Sequence, residues 1–452
     1  MSEPYEYKTT LEKKIDRIIS PFESFVDTQI ASGLILLAAV FISLLLSNTP
    51  LFSSNYNKFI NFEFSLGVEQ YLFKFSLKDF VDEFLLLFFF LILGLEIKRE
   101  IMAGELADFR KSVVVIFAAC GGMVVPALMY FMFNDYGTKF FHGWAIPIAT
   151  DTAIAIGLMS LFKKKLPKGI FTLVAAIAVV DDIVAITIIA LFYSGDINKL
   201  YLFYAGLTFF SILLANFLGV RNFILYLFPG LLIWLFFEKA GVHGSISGVL
   251  IAFAIPARPK TNPYFFVNKI KKLVKRFEKA HDHSKHILEQ GDEHALLEQV
   301  SAATEQASVP LKRWEFILEK PVLFIILPLF ALTNGAIVVN FNVLGDLINS
   351  PLFWGIFFGL VLGKPFGIML FSYICLKLVG GKLPTDVCFR DMVPMSMIAG
   401  IGYTMAIFVT GLAFDDSNII NMAKFSIVLA SLAAGVLASG LIEYNYRLSK
   451  PD

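Results

Sequence analysis

Charge is what this chain has least of. Lys, Arg, Asp and Glu supply 17% of its 452 residues, against 57% hydrophobic, where soluble domains carry about a quarter charged and near half apolar. With a mean hydropathy of +0.71, that balance excludes an ordinary soluble domain and implies a polytopic membrane protein. The few charges nearly cancel, 38 basic against 37 acidic for a net +1. The basic surplus that nucleic-acid binding draws on is absent, and no nucleic acid is expected as a partner. Cysteine is scarce as well: Cys120, Cys375 and Cys388 lie in or beside apolar segments without paired spacing, so neither a disulfide framework nor a zinc site follows. Nor does the start of the sequence as given read like a cleaved signal peptide. The first 28 residues are charged and amphipathic (Lys8, Glu12, Lys13, Lys14, Asp16, Arg17), and read as a cytoplasmic or surface-lying helix.

What is present is a series of apolar runs, from which an all-α protein of about twelve membrane spans is predicted. They lie near 30–48, 81–97, 112–133, 144–162, 169–193, 200–218, 222–238, 243–256, 316–340, 352–378, 391–413 and 419–443. Basic residues fall mostly on one side: Lys98, Arg99, Arg110, Lys111, Lys163, Lys164, Lys165, Lys168, Arg221, the run after Arg258, Lys382, Arg390 and Arg447. That side is cytoplasmic by the positive-inside rule, and an even span count puts both termini there. The resulting domains are a cytoplasmic N-terminal segment 1–28, spans 1–8 over 29–257, a cytoplasmic insert 258–313, spans 9–12 over 314–446, and a short cytoplasmic end 447–452.

Two stretches break the pattern. Between spans 1 and 2, at about 58–78, Ile60, Phe62, Phe64 and Leu66 alternate with polar residues, and Tyr71, Phe73, Phe75 and Leu77 repeat the period after Gly67. This predicts an external β-hairpin with its turn at Gly67. Its exposed edge would suit pairing with a second copy, making a homodimer contact, or would fold back on its own chain. The 258–313 insert opens with Lys269, Lys271, Lys272, Lys275, Arg276 and Lys279, a run suited to anionic lipid. His281, His283, His286 and His294 follow, readable as solvated loop residues or, less simply, as metal ligands or pH sensors.

The chemistry centres on span 5, where Asp181 and Asp182 sit side by side midway along an apolar run. Each ionised carboxylate at that depth costs roughly 2.5–3.5 kcal/mol on insertion scales, so such residues normally bind ions or protons. A buried contact would need only one of them. Span 4 carries Pro147 followed by Thr150, Asp151 and Thr152, and span 11 carries Gly400, Gly402 and Thr404. Neither is continuous ideal helix, and unwound backbone at membrane depth survives only inside protein or beside water. Each half-helix exposes a partly charged end there. Asp151 is placed to compensate the positive ends and Lys364, midway along span 10, the negative ones. An ammonium at that depth also needs a counter-ion, for which Asp181 or Asp182 is the natural candidate. Because neighbours on a helix point about 100° apart, one aspartate would pair with Lys364 while the other faces a cation path.

Several motifs, taken together, resemble the NhaA family of bacterial sodium/proton antiporters over nearly the whole chain. They are Gly94-Leu95-Glu96-Ile97-Lys98-Arg99-Glu100, Ala149-Thr150-Asp151, Asp181-Asp182 with Leu191-Phe192-Tyr193, and Gly241-Val242-His243. Leu327-Pro328-Leu329-Phe330-Ala331, Gly363-Lys364-Pro365 and Gly400-Ile401-Gly402-Tyr403-Thr404-Met405 complete the set. The resemblance implies an inverted-repeat fold with spans 4 and 11 broken and crossing, a pattern for which this family is itself one of the type examples. It also implies electrogenic exchange of sodium or lithium for protons across a bacterial inner membrane, with no cofactor and no enzymatic reaction. By motif, Asp182 corresponds to the main cation ligand and Asp181 to its partner and the mate of Lys364, so sodium would sit at Asp181 and Asp182, with Asp151 and Thr150 at the crossing. Glu96, Arg99, Glu100 and Glu315 correspond to a pH-responsive cytoplasmic cluster, although their spacing also suits a plain helix-end charge network. His243 matches a family histidine.

The long insert departs from the expected short loop and puts the pH profile in question. Sodium-coupled symport of an organic anion is the alternative within transport, with Lys364 serving the anion. An intramembrane aspartyl protease would need acids facing each other from separate helices, and a channel would have little use for carboxylates that titrate in every cycle.

Overall fold

The fold is taken from a computed structural model, which describes residues 29–68, 71–280, 291–337, 345 and 347–449. The expected N-terminal helix 1–28, His281, His283, His286, the end of span 9 past residue 337 and the last three residues of the C-terminal end lie outside these. The chain divides into two compact units: one of Met1–Leu86, Glu100–Ser194 and Pro321–Asp452, the other of Leu87–Arg99 and Gly195–Lys320.

Apolar helices dominate both. Among the described residues, eight are long and apolar enough to cross a membrane, and nine if the bent pair Phe389–Ala399 and Tyr403–Ala413 counts as one span. Three expected spans fall short of that measure. The 81–97 run is divided by a π-helical turn at Phe80–Leu85 before the helix Leu86–Ala103, Ile224–Ala240 has only 17 residues, and Ser247–Ala254 has eight.

In the first unit, helix Phe109–Phe133 lies against Lys364–Ile374. Gly121 and Gly367 make this possible, because a Cβ on either would come about 2 Å from the other's carbonyl oxygen. The backbones touch, as small residues allow between membrane helices. Helix Gln29–Asn48 packs on Thr152–Leu161 and Leu327–Asn334. The 33-residue helix Ser417–Ser449 packs on Pro351–Phe358, Met392–Ala399 and Tyr403–Ala413.

The hairpin forms, but with its turn displaced. Strands β1 (Glu63–Val68) and β2 (Tyr71–Ser76) pair antiparallel from Glu63↔Ser76 to Val68↔Tyr71. Gly67 therefore lies in β1 opposite Leu72, not at the turn, because pairing continues one residue beyond it. Residues 58–60 end a helix, Pro50–Ile60, that the alternating pattern concealed; proline at its first position pre-sets the helical φ.

In the second unit, Lys199–Phe217 packs on Ile224–Ala240, which ends at Gly241 with φ +79°, a left-handed cap that glycine adopts without strain. The insert is a pair of helices, Pro263–Ala280 and Gly291–Ala307, packed on each other. The backbone N–H groups of Lys260 and Thr261 close its base on Gln306 O at 2.9 and 3.1 Å.

Candidate ion-binding site

Span 4 breaks where proline and polar residues interrupt it. A 3₁₀ turn over Phe141–Ile148 gives way to extended backbone at Ala149 and Asp151, and helix resumes at Thr152–Leu161. Span 11 breaks at Gly400-Ile401-Gly402 between helices Met392–Ala399 and Tyr403–Ala413, with a bend of 46°. Thr404 belongs to the second half-helix rather than to the break. The two breaks touch: the Asp151 N–H donates to Ile401 O at 2.7 Å. The glycines allow this approach, since a Cβ on Gly400 would lie 2.5 Å from Leu360 O and one on Gly402 2.7 Å from Ala149 O.

One carboxylate serves both half-helix starts. Asp151 Oδ1 accepts the Ile154 N–H at 3.0 Å as an N-cap, while Oδ2 accepts the Thr404 N–H at 2.9 Å and its hydroxyl at 2.6 Å. An anion at a helix N-terminus is stabilised by unpaired N–H groups and by the macrodipole. At the opposing ends, Lys364 Nζ donates to Ile148 O, and Thr150 Oγ1 lies a longer 3.3 Å from Ala399 O.

Asp181 and Asp182 lie in the middle of helix Lys168–Phe192, only 1% and 5% exposed. The start of that helix is held by Asp386, whose Oδ2 accepts the Gly169 N–H at 2.8 Å. Lys364, wholly buried, follows a π-helical turn at Gly359–Gly363. Its ammonium lies 3.1 Å from Asp181 Oδ2 and also donates to Thr150 Oγ1, whose own hydroxyl donates to that same Oδ2 at 2.8 Å. Asp181 Oδ1 is buried and, among the described residues, accepts no hydrogen bond. A desolvated anionic oxygen left without a donor is costly, and the hard oxygen donors gathered here suit a small cation or a proton.

Arg99 and Glu315 form an ion pair within the second unit, and Lys98 donates to Phe253 O at 2.7 Å and to Ile255 O near the end of helix Ser247–Ala254. Glu96 is half-buried on the same helix as Arg99. Glu100 belongs to the first unit, where its Oε2 accepts the Glu105 N–H at 3.1 Å. His243 caps a 3₁₀ turn, its Nδ1 2.9 Å from Ser245 Oγ.

Sequence reasoning missed two things. Thr404 was seen only as a helix breaker, not as a ligand of Asp151. A second polar cluster also escaped it: Asn334 Nδ2 donates to Asp82, and buried Lys424 donates to Asn334 O at 2.7 Å. The available signal was a lone lysine within the apolar run of span 12 and an aspartate at the start of span 2.

Buried carboxylates beside a buried ammonium, gathered where two membrane helices break, define an ion-coupled membrane carrier. The sequence comparisons agree and narrow the class. The chain belongs to the family described as Na+/H+ antiporter 1, whose model matches residues 23–442, and so sits among transporters rather than enzymes. It is 39% identical over 438 residues to the Na(+)/H(+) antiporter NhaA of Oleidesulfovibrio alaskensis, covering 97% of each chain. It is 38% identical to the Na(+)/H(+) antiporter NhaA 1 of Saccharophagus degradans, over 94% of this chain and 91% of that one. The Na(+)/H(+) antiporter NhaA of Sulfurimonas denitrificans is 36% identical over 94% of this chain and 95% of its own.

Proposed function

We propose that this protein exchanges sodium or lithium for protons, electrogenically, through competition of cation and protons for Asp181 and Asp182. The observation that carries the reading is the division of labour at Asp181: one oxygen is held by Lys364 and Thr150, and the other is buried without a donor among the described residues. Asp182, one residue on, is the principal cation ligand. A cation arriving between them displaces the Lys364 contact or a proton. The site then crosses the membrane loaded with one species or the other but not both, which is what couples the two flows. Asp151 holds the half-helix starts together as spans 4 and 11 move, and Lys364 and Thr150 answer the opposing ends. Engagement of Lys364 by Asp181, Thr150 and Ile148 O leaves it poorly placed to receive an organic anion, which favours antiport over symport.

The architecture on this reading is a twelve-span inverted repeat in a bacterial cytoplasmic membrane, both termini cytoplasmic. The 58–78 hairpin pairs with a second copy, and the basic insert helix rests on anionic lipid. Glu96, Arg99, Glu100, Glu315 and His243 tune the response to pH from the second unit and the end of span 2. Purified protein in proteoliposomes with a preset pH gradient tests the central claim. Added sodium or lithium should collapse the gradient; a gradient unaffected by either ion from about pH 6 to about pH 9, a window that brackets the range where histidine titrates, would overturn it.

A further inference from the structure

A groove of about 550 Å³ runs between helix Gln29–Asn48, helix Thr152–Leu161 and helix Ser417–Ser449, with Ile401 of the span 11 break and Tyr403 just after it among its lining residues. Its walls are almost wholly apolar, and Gly33, Gly157 and Gly435 are among its lining residues. Leu37, Phe41, Leu432 and Val436 stand 49–64% exposed along it. In a membrane this opening meets hydrocarbon. Along the first helix the lining runs from Gly33 to Leu44 and along the last from Val428 to Ser439, about 16 Å in each case at 1.5 Å per residue. That is roughly half of the 30 Å hydrocarbon core, the depth of one leaflet. A spanning helix from a partner would need a seat of the full thickness, whereas a single acyl chain needs only this.

The two ends differ in kind. One lies beside the helix break at Ile401 and Tyr403. The other passes Leu161 and Ser439 and opens beside Lys163, Lys164 and Lys165, the turn that follows Leu161. Lys165 is engaged, paired with Glu443 and set 5.3 Å from the Tyr446 ring centroid. Lys163 and Lys164 are exposed and, among the described residues, in no ion pair. Basic side chains at a membrane surface attract anionic headgroups.

We infer that an anionic phospholipid docks here, one acyl chain lying in the groove and its headgroup held by Lys163 and Lys164. The chain then packs against the break itself, where the Gly402 N–H reaches Ser431 Oγ at 3.3 Å. A lipid component is thereby built into the wall of the crossing, at a place separate from the 258–313 insert.

The test is thermal unfolding of the full-length protein in detergent, with phosphatidylglycerol or phosphatidylethanolamine of identical chains titrated in. The readout is the lipid-induced shift, which separates the site from each variant's own baseline. The wild type should gain more from phosphatidylglycerol. Gly435→Phe should lose most of the gain with both lipids, since a Cβ there sits 3.7 Å from both Ile401 Cδ1 and Leu158 Cδ2 and aims the ring into the groove. Where that variant folds poorly, Val436→Trp on the exposed lip should show the same loss. Lys163→Gln/Lys164→Gln should keep the phosphatidylethanolamine gain and lose only the preference for phosphatidylglycerol. Undiminished gains in both groove variants, or an intact preference in the double lysine variant, overturn the proposal. So does a groove variant whose oligomeric state by light scattering changes while its lipid response does not, which would make the occupant a second copy of the chain.

Discussion

Replacing Lys364 with alanine is the sharpest test of the buried charge arrangement. The ammonium is fully buried, and three acceptors converge on it: Asp181 Oδ2 at 3.1 Å, Thr150 Oγ1 and Ile148 O. Removing it leaves Asp181, among the described residues, with a single donor, the Thr150 hydroxyl, and leaves the Ile148 carbonyl at the helix break without its cation. Breaking one side of a buried pair costs about 3–5 kcal/mol in soluble proteins, because the surviving charge stays desolvated. A loss of 1 kcal/mol lowers Tm by about 2–4 °C in chains of 150–250 residues and by less in longer ones. The expected fall is therefore on the order of 5 °C for this chain. It should exceed the effect on cation affinity. The control is Asp181→Asn on the same background: with both charges gone no orphan remains, and the double variant should recover part of the loss, giving a coupling energy from the cycle. Melting followed by size-exclusion fluorescence in detergent measures all four proteins. An unchanged melting profile for Lys364→Ala would refute the reasoning, and strict additivity in the cycle would show that the two charges do not interact.

Asp182→Asn should abolish exchange in proteoliposomes while leaving the protein folded and inserted, because a cation needs a carboxylate that also carries the competing proton; near wild-type exchange would end that assignment. Apparent sodium affinity should weaken as pH falls, since protonation removes the negative charge that the cation requires. This dependence should persist with Glu96, Arg99 and Glu100 all neutralised, so a flat pH profile in that variant would favour remote gating over direct competition. Deleting 269–306 should spare exchange and alter only its pH dependence, regulation or expression, and a well-inserted deletion inactive at every pH would show otherwise. Gly402→Ala sets a methyl 2.7 Å from Ala149 O and should cost about 1–3 kcal/mol by overpacking, read as a lowered Tm with slowed exchange.

How much of this was legible in the sequence depends on the physical signal each feature leaves. Ionisable residues in apolar runs are conspicuous because hydrocarbon penalises them, so Asp151, Asp181, Asp182 and Lys364 could be found, and the scarcity of buried cations made a Lys364–aspartate pair the natural expectation. The breaks announced themselves through Pro147, Gly400 and Gly402. Contacts between residues far apart in the chain leave no such trace. Nothing local marks Thr404 as a ligand of Asp151, and Asn334, uncharged, gave no reason to be joined with Asp82 and Lys424. The hairpin was visible as a period of two, but a glycine reads equally as a turn or as an ordinary strand residue, and Gly67 proved the latter. Helix Pro50–Ile60 hid because its last residues, among them Ile60, also fit the alternating pattern of the hairpin that follows.

The helix Ser417–Ser449 is longer than its surroundings require. Thirty-three residues extend about 50 Å at 1.5 Å each, against a hydrocarbon core of about 30 Å. An upright helix would overshoot by more than a dozen residues, and even a strongly tilted one would project into the aqueous phase. The projecting end is not idle. Glu443 pairs there with Lys165, beyond the half-helix that starts at Asp151, and Asn445 accepts a hydrogen bond from Arg390, in the turn that leads into span 11. At its C-terminal end, then, one long helix ties together the segment that follows span 4 and the one that leads into span 11, as a yoke ties two oars. Rocking of one broken helix would be transmitted to the other through this mast as well as through the crossing, and a label near residue 445 would follow the stroke without touching the ion path.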